Sequence, residues 1–247
     1  MTAIDYCYHP RLFCSWAKGP PKGGLFICRT SIVATNFYID GFNLYHGSVR
    51  GTPYRWLNVS ALCQRLFPTH TINKIHYFTA VVLRLKHDWG APDRQDVYLR
   101  ALRTLPNVIV HREGWFASRP TRLPLHPLIY DTPGGPPRMA SVLKIEEKRT
   151  DVDIATCLLV DCFTGDFDEA VIISNDSDLV PPIEVVKNQF KKPIWVVNPH
   201  FKSRPHRHLV TAASHCYTRI NKSAIVACQL PNTLTDSSGQ ITKPPEW

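Results

Sequence analysis

The sequence predicts an α/β fold, a mostly parallel central sheet of about five strands with helices on both faces. Three observations carry this expectation. From Ile32 onward, short β-branched and aromatic runs alternate with segments of helical spacing. The runs are largely apolar throughout, as strands covered on both faces are. Two of them stop abruptly at carboxylates, Asp40 after the first and Asp176 with Asp178 after the fourth.

Taken in order, residues 32–39 read as a buried first strand and Asp40-Gly41-Phe42-Asn43 as the tight turn after it. Residues 57–67 have helical spacing, and residues 74–83 form a second strand. Val97, Leu99, Ala101, Leu102 and Leu105 lie at helical intervals within residues 94–105, ahead of a third strand at 107–111. From 115 to about 144, six prolines and the Gly134-Gly135 pair predict a long irregular loop. Residues 150–163 are then a helix, 170–174 the fourth strand, 178–190 a helix and 193–197 the fifth strand, while 210–214 is too short to classify. One domain is expected over 32–230. Residues 1–31 read as a disordered extension or the product of a start codon placed too far upstream, and Cys7, His9 and Cys14 in it suit no common zinc module. Residues 231–247 read as a polar tail.

Composition sets the broad class. The chain has 247 residues, is 44% hydrophobic and 20% charged, and so has ample material for a core, which excludes wholesale disorder, collagen-like repetition and a stapled mini-protein. No apolar run approaches the roughly 20 residues that cross a bilayer. Eight cysteines without a CxxC pair point to a reducing, cytoplasmic setting. With 29 Lys and Arg against 20 Asp and Glu, the formal charge is +9, and it is segregated. Residues 146–184 hold eleven carboxylates against only Lys148 and Arg149, whereas 185–230 hold eight Lys or Arg and no acid. Solubility is one reading of the positive excess; a polyanionic partner gripped around an acidic centre is the other.

In an open parallel sheet the carboxyl ends of the central strands form the ligand crevice, so Asp40, Asp176 and Asp178 converge there if their strands are neighbours. A further acid comes from Thr150-Asp151-Val152-Asp153 at a helix start. Thr150 and Asp153 have the spacing of a capping box, which leaves Asp151 as the acid free for another role or for the helix dipole. Clustered carboxylates repel, and a divalent cation relieves the repulsion; oxygen-only ligands suit Mg²⁺ or Mn²⁺, which hydrolyse phosphodiesters through a bound hydroxide. The chain has no GxGxxG after its first strand, no GxxxxGK[ST] and no GxSxG elbow, so dinucleotide binding, P-loop hydrolysis and α/β-hydrolase chemistry lack their carriers.

Three segments, Tyr38-Ile39-Asp40-Gly41-Phe42-Asn43, Glu147-Lys148-Arg149-Thr150-Asp151-Val152 and Ser174-Asn175-Asp176-Ser177-Asp178-Leu179, together resemble the NYN domain of the PIN-like nuclease superfamily across residues 36–197. The resemblance implies a Rossmann-like three-layer α/β/α sandwich, a divalent metal on Asp40, Asp151, Asp176 and Asp178, Asn43 as a polar helper beside the first acid, and ribonuclease activity. Arg149 and Asn175 stand where the family usually has glycine, and Cys157 where many relatives carry an acid. The expected function is therefore a metal-dependent ribonuclease using Mg²⁺ or Mn²⁺ with RNA as partner. A non-catalytic RNA-binding or regulatory module on the same fold is the alternative, and a small-molecule phosphatase a third reading. Lys148 and the basic loop carrying Lys202, Arg204 and Arg207 are the candidate RNA contacts. Asp161 reads either as a support behind the acidic centre or as a solvated helix residue, and a monomer and a homodimer both stay open.

Overall fold

The computed structural model describes residues 33–86, 88–217 and 219–247. The expectations for residues 1–31 lie outside them. Strands β1 (Ala34–Asp40), β2 (Thr71–Ala80), β3 (Val108–Pro124), β4 (Met139–Lys148), β5 (Glu169–Ile173), β6 (Ile194–Val197) and β7 (His215–Tyr217) build one sheet in the order β4-β3-β2-β1-β5-β6-β7. Every neighbouring pair is parallel except β3 with β4. The fold is thus mixed α/β with a mostly parallel sheet flanked by helices, as expected, but the sheet has seven strands rather than five.

The first additional strand comes from the segment expected to be a loop. β2 pairs with β3 only as far as Gly114, and beyond that point β3 has β4 as its single partner, Trp115 facing Lys148 and Pro124 facing Met139. Pro120 and Pro124 are therefore on strand positions with an open side, where a missing N–H costs no ladder bond. The irregular stretch shrinks to residues 125–138. The second, β7, follows the short helix α6 (Arg207–Ala212) in the segment left unclassified.

Residues 231–247 are likewise not a polar tail. β8 (Thr233–Asp236) and β9 (Gly239–Thr242) pair as a hairpin, Ile241 is buried, and Arg100 donates to the Asp236 carboxylate from Nε at 2.6 Å and Nη2 at 2.5 Å. The C-terminal Trp247 packs against Trp56 and Tyr98, with ring centroids 6.2 and 5.7 Å apart.

Successive residues of a strand point to opposite faces, and the core divides accordingly. Phe37 and Ile39 of β1 and Ile75 and Tyr77 of β2 pack with α2 (Val59–Leu66), α3 (Ala91–Leu102) and α7 (Lys222–Ala227). Tyr38, Phe78 and Ile172 pack instead with α4 (Thr150–Thr164), α5 (Val180–Asn188) and α6. β1 lies in the middle, and the chain winds outward from it in both directions, which places the crevice at its carboxyl end.

The start of α4 departs from expectation. The helix begins at Thr150 with Arg149 as its N-cap residue and no side-chain cap, and Arg149 Nε pairs with Asp153 Oδ1 at 3.0 Å, so the capping box is not formed. Arg149 is held at φ +89°, a conformation that favours glycine. Arg149→Gly is expected to stabilise the protein by about 1 kcal/mol after loss of the exposed ion pair, a rise in Tm of about 3 °C. A fall in Tm would show that the side chain matters more than the strain.

Candidate active site

The parallel register of β1 with β5 pairs Ile39 with Ile173, so the next residues, Asp40 and Ser174, meet at the sheet edge. Ser174 Oγ donates to Asp40 Oδ2 at 3.0 Å, and the Asn43 N–H donates to Oδ1 at 2.9 Å, making Asp40 the cap of α1 (Gly41–Leu44). Burial raises the Asp40 pKa, and the charge of Asp176 adds to the shift. Asp176 Oδ1 accepts from the Asp178 N–H at 3.0 Å at the head of a 3-10 turn, Ser177–Leu179, that runs into α5. Asp151, in the first turn of α4, is pushed up to about 7 by burial and then by the negative charges of Asp176, Asp40, Glu147 and Asp178. The structure thus brings together the four acids named from the sequence.

Asn43 belongs to the same cluster. Its Oδ1 accepts from the Asn175 N–H at 3.2 Å and lies 2.9 Å from His200 Nε2. Sequence reasoning missed Ser174, Glu147 and His200 as members. Glu147 lies one residue from Lys148 and reads as part of a charged surface pair, yet burial and the nearby Asp40 charge raise its pKa. His200 reaches Asn43 across 157 positions and gives no local signal. The four basic candidates are all exposed. Lys148 pairs with Glu146 at 3.2 Å, and the loop with Lys202 and Arg204 is tied to the site through Asn175, whose Nδ2 donates to the Arg204 carbonyl at 3.3 Å.

A cavity of about 140 Å³, lined by none of the four acids, opens on the sheet face that carries Tyr77. It starts at Gly41, the residue after Asp40, and its walls include Phe42, Tyr45, Tyr77, Tyr98 and Trp247. Only glycine fits at 41, because a Cβ there would stand 2.6 Å from the Phe78 carbonyl oxygen and 2.8 Å from Tyr77 Oη. Two arginines enter the cavity. Arg94 is neutralised by Asp88 and, at 3.6 Å, by Glu246. Arg55 is half-buried, and among the described residues it has no ion-pair partner and its buried Nε no hydrogen-bond partner. A free guanidinium in an aromatic cavity is a ready anchor for a carboxylate. A cavity of this size holds one aromatic ring; an engineered void of about 150 Å³ binds benzene.

No protein-family model matches the chain. Over 236 residues it is 30% identical to the 6-hydroxy-3-succinoylpyridine 3-monooxygenase HspA of Pseudomonas putida (strain DSM 28022 / S16), a match that covers 86% of this chain and 75% of HspA. Among solved structures it is similar to a protein of unknown function from Vibrio parahaemolyticus RIMD 2210633, at 14% identity and a TM-score of 0.48, over 77% of this chain and 94% of that one. HspA is by name an oxygenase, not a hydrolase. That relative overturns the expectation of a metal-dependent ribonuclease, and with it the nuclease chemistry assigned to Mg²⁺ or Mn²⁺ on Asp40, Asp151, Asp176 and Asp178. The physical error lay in the donor set: a carboxylate cluster at a strand end dictates neither the ion nor the reaction, because protonation relieves the same repulsion that a cation would. Among the described residues no helix is long and apolar enough to cross a membrane.

Proposed function

Because this chain belongs to the family of the monooxygenase HspA, we propose that it is a monooxygenase acting on a single aromatic ring that bears a hydroxyl group and a carboxylate side arm. The observation that carries the reading is the ring-sized aromatic cavity with Arg55 in its wall, which reaches Gly41, the residue after Asp40. The substrate in the name of HspA has these three features: a ring, a 6-hydroxyl and a succinoyl arm ending in a carboxylate.

Each residue has a role in this reading. Arg55 holds the carboxylate, the aromatic walls hold the ring and exclude water, and the ring hydroxyl is directed toward the acids. Asp151, with its pKa near 7, takes the hydroxyl proton at neutral pH. Removing that proton enriches the ring position para to the oxygen, and in a 6-hydroxypyridine that position is C3, the one at which HspA is named as acting. Asp40 and Asp176 raise the basicity of Asp151, and Asn43 with Ser174 fixes the arrangement.

Monooxygenation also consumes one O₂, two electrons and two protons, one oxygen atom forming the new C3–O bond and the other leaving as water; because C3 already carries the arm, the C3–C bond to the arm breaks, and the acyl carbon takes up a water and leaves as the dicarboxylate. The end of β1 does not fit a dinucleotide pyrophosphate as the electron source, since it has no glycine-rich turn and presents Asp40, Asp151 and Asp176 where phosphate would lie. We assign the scaffold to the Rossmann-like, PIN-like three-layer α/β/α class. The two cores and the central β1 support this, and the likeness to NYN domains is kept for the scaffold alone.

The test uses cells expressing the full chain, which supply the reductant, fed with 6-hydroxy-3-succinoylpyridine under ¹⁸O₂. One ¹⁸O atom is expected in a product that control cells do not form. Product without ¹⁸O, or no product from soluble, folded protein, would sink the assignment.

A further inference from the structure

Away from the carboxylate cluster and the aromatic cavity, β2, β3 and α4 bring two imidazoles and a thiol together. His76 Nδ1 lies 2.9 Å from His111 Nε2 and 3.5 Å from Cys157 Sγ, and one donor atom of each residue lies within 4.8 Å of the others. A tetrahedral ion of the zinc type, with bonds of about 2.0 Å to nitrogen and about 2.3 Å to sulfur, needs donor separations of about 3.3 Å between nitrogens and about 3.6 Å between nitrogen and sulfur. The observed spacing is close to both.

Three further observations point the same way. The rings are fixed in orientation: His76 stacks on Tyr38 with centroids 5.2 Å apart and planes 7° apart, and His111 on Phe78 at 4.4 Å and 9°. The other nitrogen of His76, Nε2, lies 3.2 Å from Asp161 Oδ2, and that same oxygen accepts from Tyr38 Oη at 2.7 Å. A carboxylate behind a histidine, itself pinned by a hydroxyl, is how metal-ligating imidazoles are oriented. Finally, a cleft of about 360 Å³ opens over His111 and Cys157, giving an ion a way in and a water a place to sit.

We propose that His76 Nδ1, His111 Nε2 and Cys157 Sγ bind one divalent transition-metal ion of the zinc class, with Asp161 orienting His76 and a water from the cleft completing four-coordination. The two nitrogens and one sulfur select this class over Mg²⁺ and Ca²⁺, which take oxygen. Asp161, read from sequence as a support behind the acidic centre or as a solvated helix residue, is in this arrangement the support of the deepest ligand.

The test is titration of the chelator-treated full chain with Co²⁺ as a visible probe. One equivalent is expected to bind and give a thiolate-to-cobalt charge-transfer band, which Zn²⁺ then displaces. Cys157→Ser removes the band, whereas Asp161→Asn keeps it and weakens Co²⁺ binding about 10- to 100-fold. Carboxylates bind cobalt without that band, so the acid cluster cannot imitate the result. Absence of the band in natively folded wild type, or its persistence in Cys157→Ser, would overturn the site. A second readout needs no variant: Zn²⁺ should slow iodoacetamide labelling of Cys157 at least tenfold, read by peptide mass spectrometry, and equal rates with and without Zn²⁺ would likewise overturn it.

Discussion

Asp151→Asn should make the protein more stable, by a margin that grows with pH, while removing turnover. The carboxyl pKa is pushed from an ordinary 3.8 to about 7, by burial first and then by Asp176, Asp40, Glu147 and Asp178. Between those two values the folded chain keeps a proton that the unfolded chain gives up. The stability contributed by this group therefore falls as pH rises from about 4 to about 7, and stays low above that. The site is partly open to water, so the penalty at pH 8 is about 2 kcal/mol, roughly half of what the full shift would imply. Asparagine has no proton to lose. Thermal melts of wild type and variant should diverge by about 1 kcal/mol more at pH 8 than at pH 5, a difference of about 3 °C in Tm. A constant gap would mean that Asp151 does not sit in the field of the other acids. Turnover should rise across pH 7 in the wild type as Asp151 ionises, and the variant should lose about 10²- to 10⁴-fold in kcat along with that rise. Stability gained and activity lost in the same substitution is the mark of a group strained for function.

The carboxylate cluster was legible in the sequence because each acid is announced locally. Asp40 and Asp176 follow apolar strands, and Asp151 opens a helix, so a parallel sheet need only make β1 and β5 neighbours for the three to meet. Arg149 was noted only as a departure from the glycine that the NYN resemblance implies, and the backbone there has φ +89°. What stayed hidden depends on long-range contact. The cavity joins Arg55, Tyr98 and Trp247, which no spacing links, and the hairpin of β8 and β9 that carries Trp247 toward it is short and polar on its outer face. The β3–β4 pairing was hidden by the prolines of β3 and of the connection after it, which break a central strand but not a strand with an open side. The chemistry was hidden for a different reason. The motifs specify where carboxylates gather, and a gathered set of carboxylates serves metal-bound hydrolysis and proton abstraction equally well, so the reading turned on the cavity and on the relative, not on the motifs.

Arg55→Met separates the cavity's role from its packing. Methionine preserves much of the apolar stem, so the walls formed by Tyr98 and Trp247 keep their contacts, but the guanidinium is gone. A charge-assisted, bidentate bond to a ligand carboxylate in a partly desolvated cavity is worth about 2–3 kcal/mol, so under the proposed function affinity for 6-hydroxy-3-succinoylpyridine should fall about 30- to 100-fold. The free protein should lose no stability from the change, because the buried Nε of Arg55 has no partner among the described residues to forfeit. Quenching of Trp56 and Trp247 fluorescence reports binding, and 2-hydroxypyridine, which has the ring and hydroxyl but no carboxylate, is the control. Wild type and variant should bind the control equally and differ only toward the carboxylated ring. Equal losses toward both ligands would mean that Arg55 supports the cavity wall, and no loss toward either would place the carboxylate elsewhere. The first outcome alone joins the cavity to the acids: a side arm anchored at Arg55 fixes which way round the ring lies, and so which of its atoms faces Asp151.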